Sequence, residues 1–283
     1  MTAPAPWTRV AVRPSDALLR DAVSAAMFGA GAQGLLEEGG TAGALVTHVA
    51  SHEECAAIER AVREVDAGAI VETAHIPGVD WSVAWRESIR AHDVGGLTVA
   101  PPWLAEGMDP ARTVIVDPAM AFGTGDHPTT RGVLRLMQQV IRAGDIVADL
   151  GAGSAVLAIA AVKLGAARAT AVEMDPDAIS NAEENVIRNE VTGRVAVLEG
   201  DAAVMLPLLA PVRVVFANII SSVLVELLPV IAHSLTPQGV AILSGILDEE
   251  RAKMLTVLSA GGWRVVQEDA EGQWWSVTIE RAA

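Results

Sequence analysis

Asp149-Leu-Gly-Ala-Gly-Ser-Ala155 ends one apolar run and opens another of helical spacing. A strand that passes through a glycine turn into a helix brings bare backbone close to a ligand. Gly151 and Gly153 allow that approach, because a side chain there would stand in the way. Glu173 ends the next predicted strand, 24 residues after Asp149, where its carboxylate can accept hydrogen bonds from ribose hydroxyls. Asp201 follows the strand after that, in Glu199-Gly-Asp201. A nicotinamide fingerprint requires a third glycine at position 156, where Val156 stands instead. No basic cluster or long glycine loop surrounds the turn, so little is available to hold a pyrophosphate. S-adenosylmethionine (AdoMet) carries no phosphate and offers an adenine, a ribose, a sulfonium and an amino-acid head. Asp149, Glu173 and Asp201 suit its hydroxyl and amine donors, and the sequence therefore predicts an AdoMet site here.

Two further segments extend this chemistry. Asp117-Pro-Ala-Met-Ala-Phe-Gly-Thr-Gly-Asp-His-Pro-Thr-Thr130 precedes the first long helix of the second half. Gly123 permits close backbone approach, Phe122 offers a face for an adenine or a methionine chain, and Thr129 or Thr130 falls at a helix start. Free amides at a helix start attract a carboxylate such as that of AdoMet. A purely structural N-cap loop is the plainer reading, and the segment's length and position favour function. Asn218, in Phe216-Ala-Asn-Ile-Ile220 at a strand end, presents a neutral amide oxygen to a substrate amine and is the candidate catalytic residue. An ordinary strand-end turn residue explains that position equally well. His127 shapes its loop rather than serving as a base, and the other histidines form no metal-binding pair. Neither a nucleophile elbow nor a P-loop occurs. Gly272-Gln-Trp-Trp275 near the C-terminus offers a substrate wall, with buried core tryptophan the favoured reading.

The elements that position these residues follow from periodicity. Trp7–Val12 alternates as a strand, and Ser15–Phe28 has helical spacing behind a Ser15 cap. Gln33–Leu36 and Ala44–His48 are short strands around Gly39-Gly40, Ser51–Val65 is a helix with a Ser51/Glu54 capping box, and Ile70–Ile76 closes the set. This βαββαβ order predicts a small ferredoxin-like α+β domain over 1–76. Residues 77–110, with Trp81, Trp85 and Pro101-Pro-Trp103, read as a connector, and 111–283 as the catalytic domain. There strands 145–150, 169–173, 195–199, 212–217 and 240–244 alternate with helices 154–164, 176–189 and 223–234. That alternation predicts a parallel, doubly wound α/β sheet.

Composition bounds the rest. At 283 residues the chain suits two domains, with 51% hydrophobic against 19% charged residues. No apolar run approaches the roughly 20 residues of a membrane span, and the first residues lack the pattern of a secretory signal. The single cysteine, Cys55, excludes an internal disulfide or a cysteine-built zinc site. A net charge of −15 opposes nucleic-acid binding and suits a basic partner, with solubility as the simpler explanation. The expectation is a cytoplasmic monomer, without metal or membrane attachment.

Taken in order, these segments resemble the PrmA family of methyltransferases, which modify the large-subunit ribosomal protein L11. Ala121-Phe-Gly-Thr-Gly-Asp-His-Pro-Thr-Thr130 is the most specific match. Asp149–Ala158, Val172-Glu-Met-Asp-Pro176 with Asn181, Asn185 and Asn189, Ala217-Asn-Ile219, Leu243-Ser-Gly-Ile-Leu247 and Trp274 follow in family order. Upstream, Trp81, Trp85, Pro101-Pro-Trp103 and the Gly31–Gly34 run with Glu37-Glu38 resemble the family's linker and N-terminal domain. The resemblance implies a class I AdoMet-dependent (Rossmann-like) fold and AdoMet contacts at Thr130, Gly151, Glu173 and Asn218. It also implies an N-terminal domain that recognises L11, and methylation of lysine side chains and the N-terminal amine. Ala155 replaces a usual glycine, Glu173 a usual Asp, Arg213 a usual acidic residue and Gln273 a usual Glu; in the linker, Ile89, Ala91 and His92 replace bulkier or prolyl residues.

Overall fold

The computed structural model describes residues 7–38, 43–76, 89–118 and 125–282. The chain forms two compact units, Met1–Ser88 and Ile89–Ala283. In the first, β1 (Trp7–Arg13), α1 (Arg20–Gly29), β2 (Leu36–Glu38), β3 (Ala44–Val49), α2 (His52–Val65) and β4 (Ile70–Ile76) give the expected βαββαβ order. The sheet runs β2-β3-β1-β4, with β1 antiparallel to both neighbours. Alternation sends Val10 and Val12 to one face, where they pack with Val23 and Met27 of α1 and Ile58 and Val62 of α2. Ser51 and Glu54 form the anticipated capping box on α2. Ser15 does not cap α1. Asp16 caps a 3-10 turn, Ala17–Leu19, ahead of that helix, while Ser15 donates through its hydroxyl and amide to the Asp66 carboxylate at 2.6 and 2.7 Å. Trp81 and Trp85 lie outside the described residues.

The second unit begins inside the stretch read as connector. β5 (His92–Val94), β6 (Leu97–Ala100) and β7 (Thr113–Ile115) form a three-stranded sheet in that order. Then come α3 (Pro128–Val140), β8 (Ile146–Leu150), α4 (Val156–Lys163), β9 (Arg168–Glu173), α5 (Pro176–Arg188) and β10 (Val195–Glu199). They are followed by α6 (Ala202–Leu209), β11 (Val212–Asn218), α7 (Ser221–Ser234), β12 (Leu235–Leu247), α8 (Arg251–Ala260), β13 (Trp263–Glu271) and β14 (Trp274–Arg281). The large sheet runs β10-β9-β8-β11-β12-β14-β13. Five strands are parallel, as expected, but β14 is antiparallel to both β12 and β13. The sheet is therefore mostly rather than wholly parallel. Only Gly272-Gln273 joins β13 to β14, and so short a link permits only an antiparallel neighbour; Gly272 takes the positive φ of +61° that this reversal needs.

Helices cover both faces. α4 is buried over seven of its eight residues, because α3, α5 and the sheet enclose it; its apolar run reflects that position. Leu224, Leu227, Leu228 and Ile231 of α7 pack on the opposite face with Leu150, Ala217 and Leu243. The winding direction changes between β8 and β11, which opens a crevice at their carboxyl ends. No helix among the described residues is long and apolar enough to cross a membrane.

Candidate active site

At that crevice the chain after β8 turns through Gly151 (φ +64°) and Gly153 (φ +51°). A Cβ on Gly151 would meet Ile219 Cγ2 at 2.6 Å, so both φ and space require glycine there. Glu173, at the end of β9, clasps this turn: Oε2 accepts the Gly153 amide at 2.8 Å, and Oε1 accepts the Met174 and Asp175 amides at 2.8 and 3.0 Å. Oε1 is thereby saturated, while Oε2 retains a lone pair for a ligand hydroxyl. Ala155 completes the turn at φ +61°, a left-handed conformation that its Cβ disfavours. As N-cap of α4 it also has no side-chain acceptor to offer.

Asp149 supplies what Ala155 lacks. Its Oδ2 accepts the Ala158 amide at 3.0 Å, in the first turn of α4. This carboxyl is only 1% exposed and does not line the cavity above it. The side chain lies beneath the turn, where the uncapped helix start draws it. Burial, with the Glu173 charge nearby, pushes its pKa up to about 8.

The crevice holds a cavity of about 770 Å³. Gly151, Gly153, Glu173 and Asp201 form one wall and Asn218 the floor. Val223, Glu226 and Leu227 of α7 face it, and His127, Thr129, Gly245 and Trp274 close the far side. Asp201 N-caps α6 by accepting the Ala203 amide at 2.7 Å, yet still borders the cavity. Thr130 is fully buried and lies behind the lining; its hydroxyl accepts from Asn218 Nδ2 at 3.4 Å. Thr129 rather than Thr130 lines the cavity, since the first turn of α3 points the second threonine inward. Asn218 Oδ1 has no partner among the described residues. Phe122 and Gly123 lie outside the described residues.

Several neighbours carried weaker sequence signals. His127 N-caps α3 and approaches Thr129 Oγ1 at 2.7 Å, which fits its reading as a loop-shaping residue. Its ring meets Trp274 edge-on at 4.9 Å, and burial, then Arg131, lower its pKa, so the imidazole is neutral at pH 7. The two tryptophans divide: Trp275 is core, donating Nε1 to Glu268 at 2.8 Å, while Trp274 is cavity wall. Ser244, opposite Asn218 on β12, donates to the Thr129 carbonyl at 3.2 Å and meets Ser276 Oγ at 2.7 Å. Gly245 (φ +82°) would place a Cβ 2.4 Å from the Ile219 carbonyl oxygen. Arg135 and Arg131 bind Asp269 and Glu271 of β13, fixing α3 to the hairpin; Arg131, then Arg135, hold the Glu271 carboxyl below the usual range.

An asparagine ladder sets the other approach. Asn189 Oδ1 accepts the Ile115 amide at 2.8 Å, and its Nδ2 donates to the Ile115 carbonyl at 2.6 Å. Asn185 Oδ1 accepts the Asp117 amide at 3.0 Å, and its Nδ2 donates to the Ser154 carbonyl at 3.2 Å. Asn181 Nδ2 reaches the Asp117 carbonyl at 3.4 Å. Spaced four apart on α5, these amides pair with extended backbone as a neighbouring strand would. Asn185 thereby links the entry of the 117–130 segment to the glycine turn.

The chemistry of the lining discriminates among ligands. Among the described residues its charged side chains are carboxylates, Glu173, Asp201 and Glu226, with no lysine or arginine. That set suits hydroxyl, amine and cationic groups and not a phosphate. The family of ribosomal protein L11 methyltransferases (PrmA) matches this chain over residues 15–282. The chain belongs to this family. A relative named ribosomal protein L11 methyltransferase from Chloroflexus aurantiacus is 37% identical over 235 residues, covering 75% of this chain and 72% of that protein. One of the same name from Thermus thermophilus is 39% identical over 196 residues, covering 69% and 75%. The crystal structure of a ribosomal protein L11 methylase from Lactobacillus delbrueckii subsp. bulgaricus aligns with a TM-score of 0.60 at 26% identity, over 69% of this chain and all of that one. Family membership accounts for the class I methyltransferase sheet and implies AdoMet as the methyl donor.

Proposed function

We propose that this protein transfers methyl groups from AdoMet to lysine side chains and the N-terminal amine of ribosomal protein L11. The observation that carries the reading is Asn218: it borders a carboxylate-lined cavity at the switch point, and its buried amide oxygen has no partner among the described residues. When bound, AdoMet supplies an electrophilic methyl on a sulfonium. Gly151 and Gly153 would let it lie against the backbone, Glu173 would take the ribose hydroxyls and Asp201 the base. Phe122, Gly123 and Thr130 belong to the segment proposed to cover it.

A lysine arrives protonated near neutral pH and must lose its proton, here to water, before its lone pair can attack. Asn218 Oδ1 then accepts a hydrogen bond from the neutral amine, which aims the nitrogen lone pair at the methyl carbon. Thr130 fixes that amide through Nδ2. The protein contributes alignment and a dry cavity rather than a covalent nucleophile. Residues 1–76 are proposed to recognise the acceptor and 77–110 to connect the two functions, in a cytoplasmic monomer. Intact-mass analysis of L11 incubated with the purified protein and AdoMet tests this. Mass additions in methyl steps on lysine and the N-terminus are expected, and an unmodified L11 beside measurable AdoMet binding sinks the proposed acceptor.

A further inference from the structure

Beyond Trp274 the crevice continues into a second cavity of about 390 Å³. It shares Ile220, Gly245 and Trp274 with the first. Its own walls are Ser222 and Val225 of α7, Leu247 at the end of β12, and Met254 and Val257 of α8. In the sheet, Asn218 stands on β11 between β8, whose glycine turn lies on one side, and β12, whose end borders this cavity on the other. Glycine turn, Glu173 and Asp201 line only the first cavity, so the donor's side and this side are opposite.

The second lining is apolar apart from α7's first serines and two charged residues, Glu250 and Lys253. Glu250 is engaged, accepting from the Ser221 hydroxyl at 2.5 Å and the Leu247 amide at 3.1 Å. The turn it ends, Asp248–Glu250, is acidic at every position, and Asp248 and Glu249 are exposed. Ile220 is 66% and Val225 37% exposed, leaving apolar surface at the cavity mouth that a bound side chain would cover.

We propose that this cavity receives an apolar side chain flanking the acceptor amine of the protein substrate, with basic neighbours of that residue lying along Asp248–Glu250. The inference rests on the reading of the protein as a methyltransferase of L11. Two observations select this occupant: continuity with the cavity that holds Asn218, and an acidic rim on a chain of net charge −15. Lys253 is the one lining group that opposes a basic segment.

Ser222→Trp fills the cavity from an exposed position that the first cavity does not use, and Val225→Trp, one turn on, is the second blocking variant. Lys253→Glu removes the opposing charge. The measurements are KM and kcat for L11 by methyl incorporation, and the AdoMet Kd by calorimetry. Blocking is expected to raise KM at least about tenfold with the AdoMet Kd within about twofold, whereas Lys253→Glu lowers KM about threefold at low salt, a gain lost at roughly 0.5 M salt. A partial fold defect lowers the active fraction, and with it the apparent kcat, without raising KM, so it is distinguished from blocking. Unchanged KM in a blocking variant, or a rise matched by equal loss of AdoMet affinity, overturns the cavity's role. Wild-type protein that binds AdoMet and leaves L11 unmodified overturns the proposed function, and this occupant with it.

Discussion

At the scale of single residues, the site is assembled from side chains that serve the backbone as much as the ligand. Asn218→Ala is expected to lower kcat about 100-fold, the cost of losing alignment at the reacting nitrogen, with the AdoMet Kd little changed; single-turnover kinetics measure it, and near-normal turnover removes Asn218 from the mechanism. Glu173→Ala should weaken AdoMet at least about tenfold, or about 1.4 kcal/mol, because it frees the Gly153 amide as well as losing a ribose acceptor. Ala155→Gly is expected to stabilise the protein by about 1 kcal/mol, since glycine adopts the left-handed turn without steric cost. A lower unfolding midpoint in that variant would contradict the strain argument. Asp149 gives a pH signature. Its folded pKa is raised to about 8 from 3.8, so the folded state keeps a proton that the unfolded chain releases. Stability therefore falls as pH rises between those values, and Asp149→Asn should remove that part of the slope in urea melts at pH 5 and pH 8.

At the scale of elements, α5 and α3 are the positioning devices. Asn185→Asp keeps an acceptor for the Asp117 amide but loses the donors to Ser154 and Asn181, and places a carboxylate against two acceptor oxygens. A stability loss of about 1–3 kcal/mol is expected, with weaker AdoMet binding, since both arms of the crevice shift. Calorimetry and thermal melts on one preparation check both halves. The same elements show what was legible in the residues. Every parallel strand of the large sheet was readable because each is an apolar run followed by turn residues, and α5 announced itself through Ala178, Ala182 and Val186, whereas β6, parallel to β7, was hidden in the stretch read as connector. α6 and α8 were not readable: α6 carries Pro207, and α8 buries only Met254 and Leu258. The C-terminal hairpin escaped because β13 is a largely exposed edge strand with an irregular register at Val265 to Gln267. At the site, Gly151, Gly153, Glu173, Asp201 and Asn218 were recoverable from strand ends and glycine spacing. Direction was not. Nothing in the residue order says that Asp149 turns down toward an uncapped helix, or that Thr129 rather than Thr130 meets the cavity.

At the scale of the whole molecule, the net charge of −15 sets a field that acts before contact. For a basic acceptor, kcat/KM should fall steeply between low salt and roughly 0.5 M, while AdoMet affinity, governed by short contacts inside the cavity, stays nearly constant. Stopped-flow or initial-rate measurements across salt separate the two, and equal salt sensitivity would mean that long-range attraction contributes little.

The placement of β14 between β12 and β13 has a consequence for how the protein comes into being. The strand inserted into the middle of that half of the sheet is made after both of its neighbours, and it brings Trp274 and Ser276 with it. A nascent chain can complete the glycine turn, Glu173 and Asn218 well before Trp274 joins the far wall of the cavity. Until residues 274–281 have left the ribosomal tunnel, β12 and β13 share no partner and α3 lacks its seat against Ser276. A chain that stops before Trp274 therefore lacks the residue that completes the far side of the cavity, although His127, Thr129 and Gly245 are already in it.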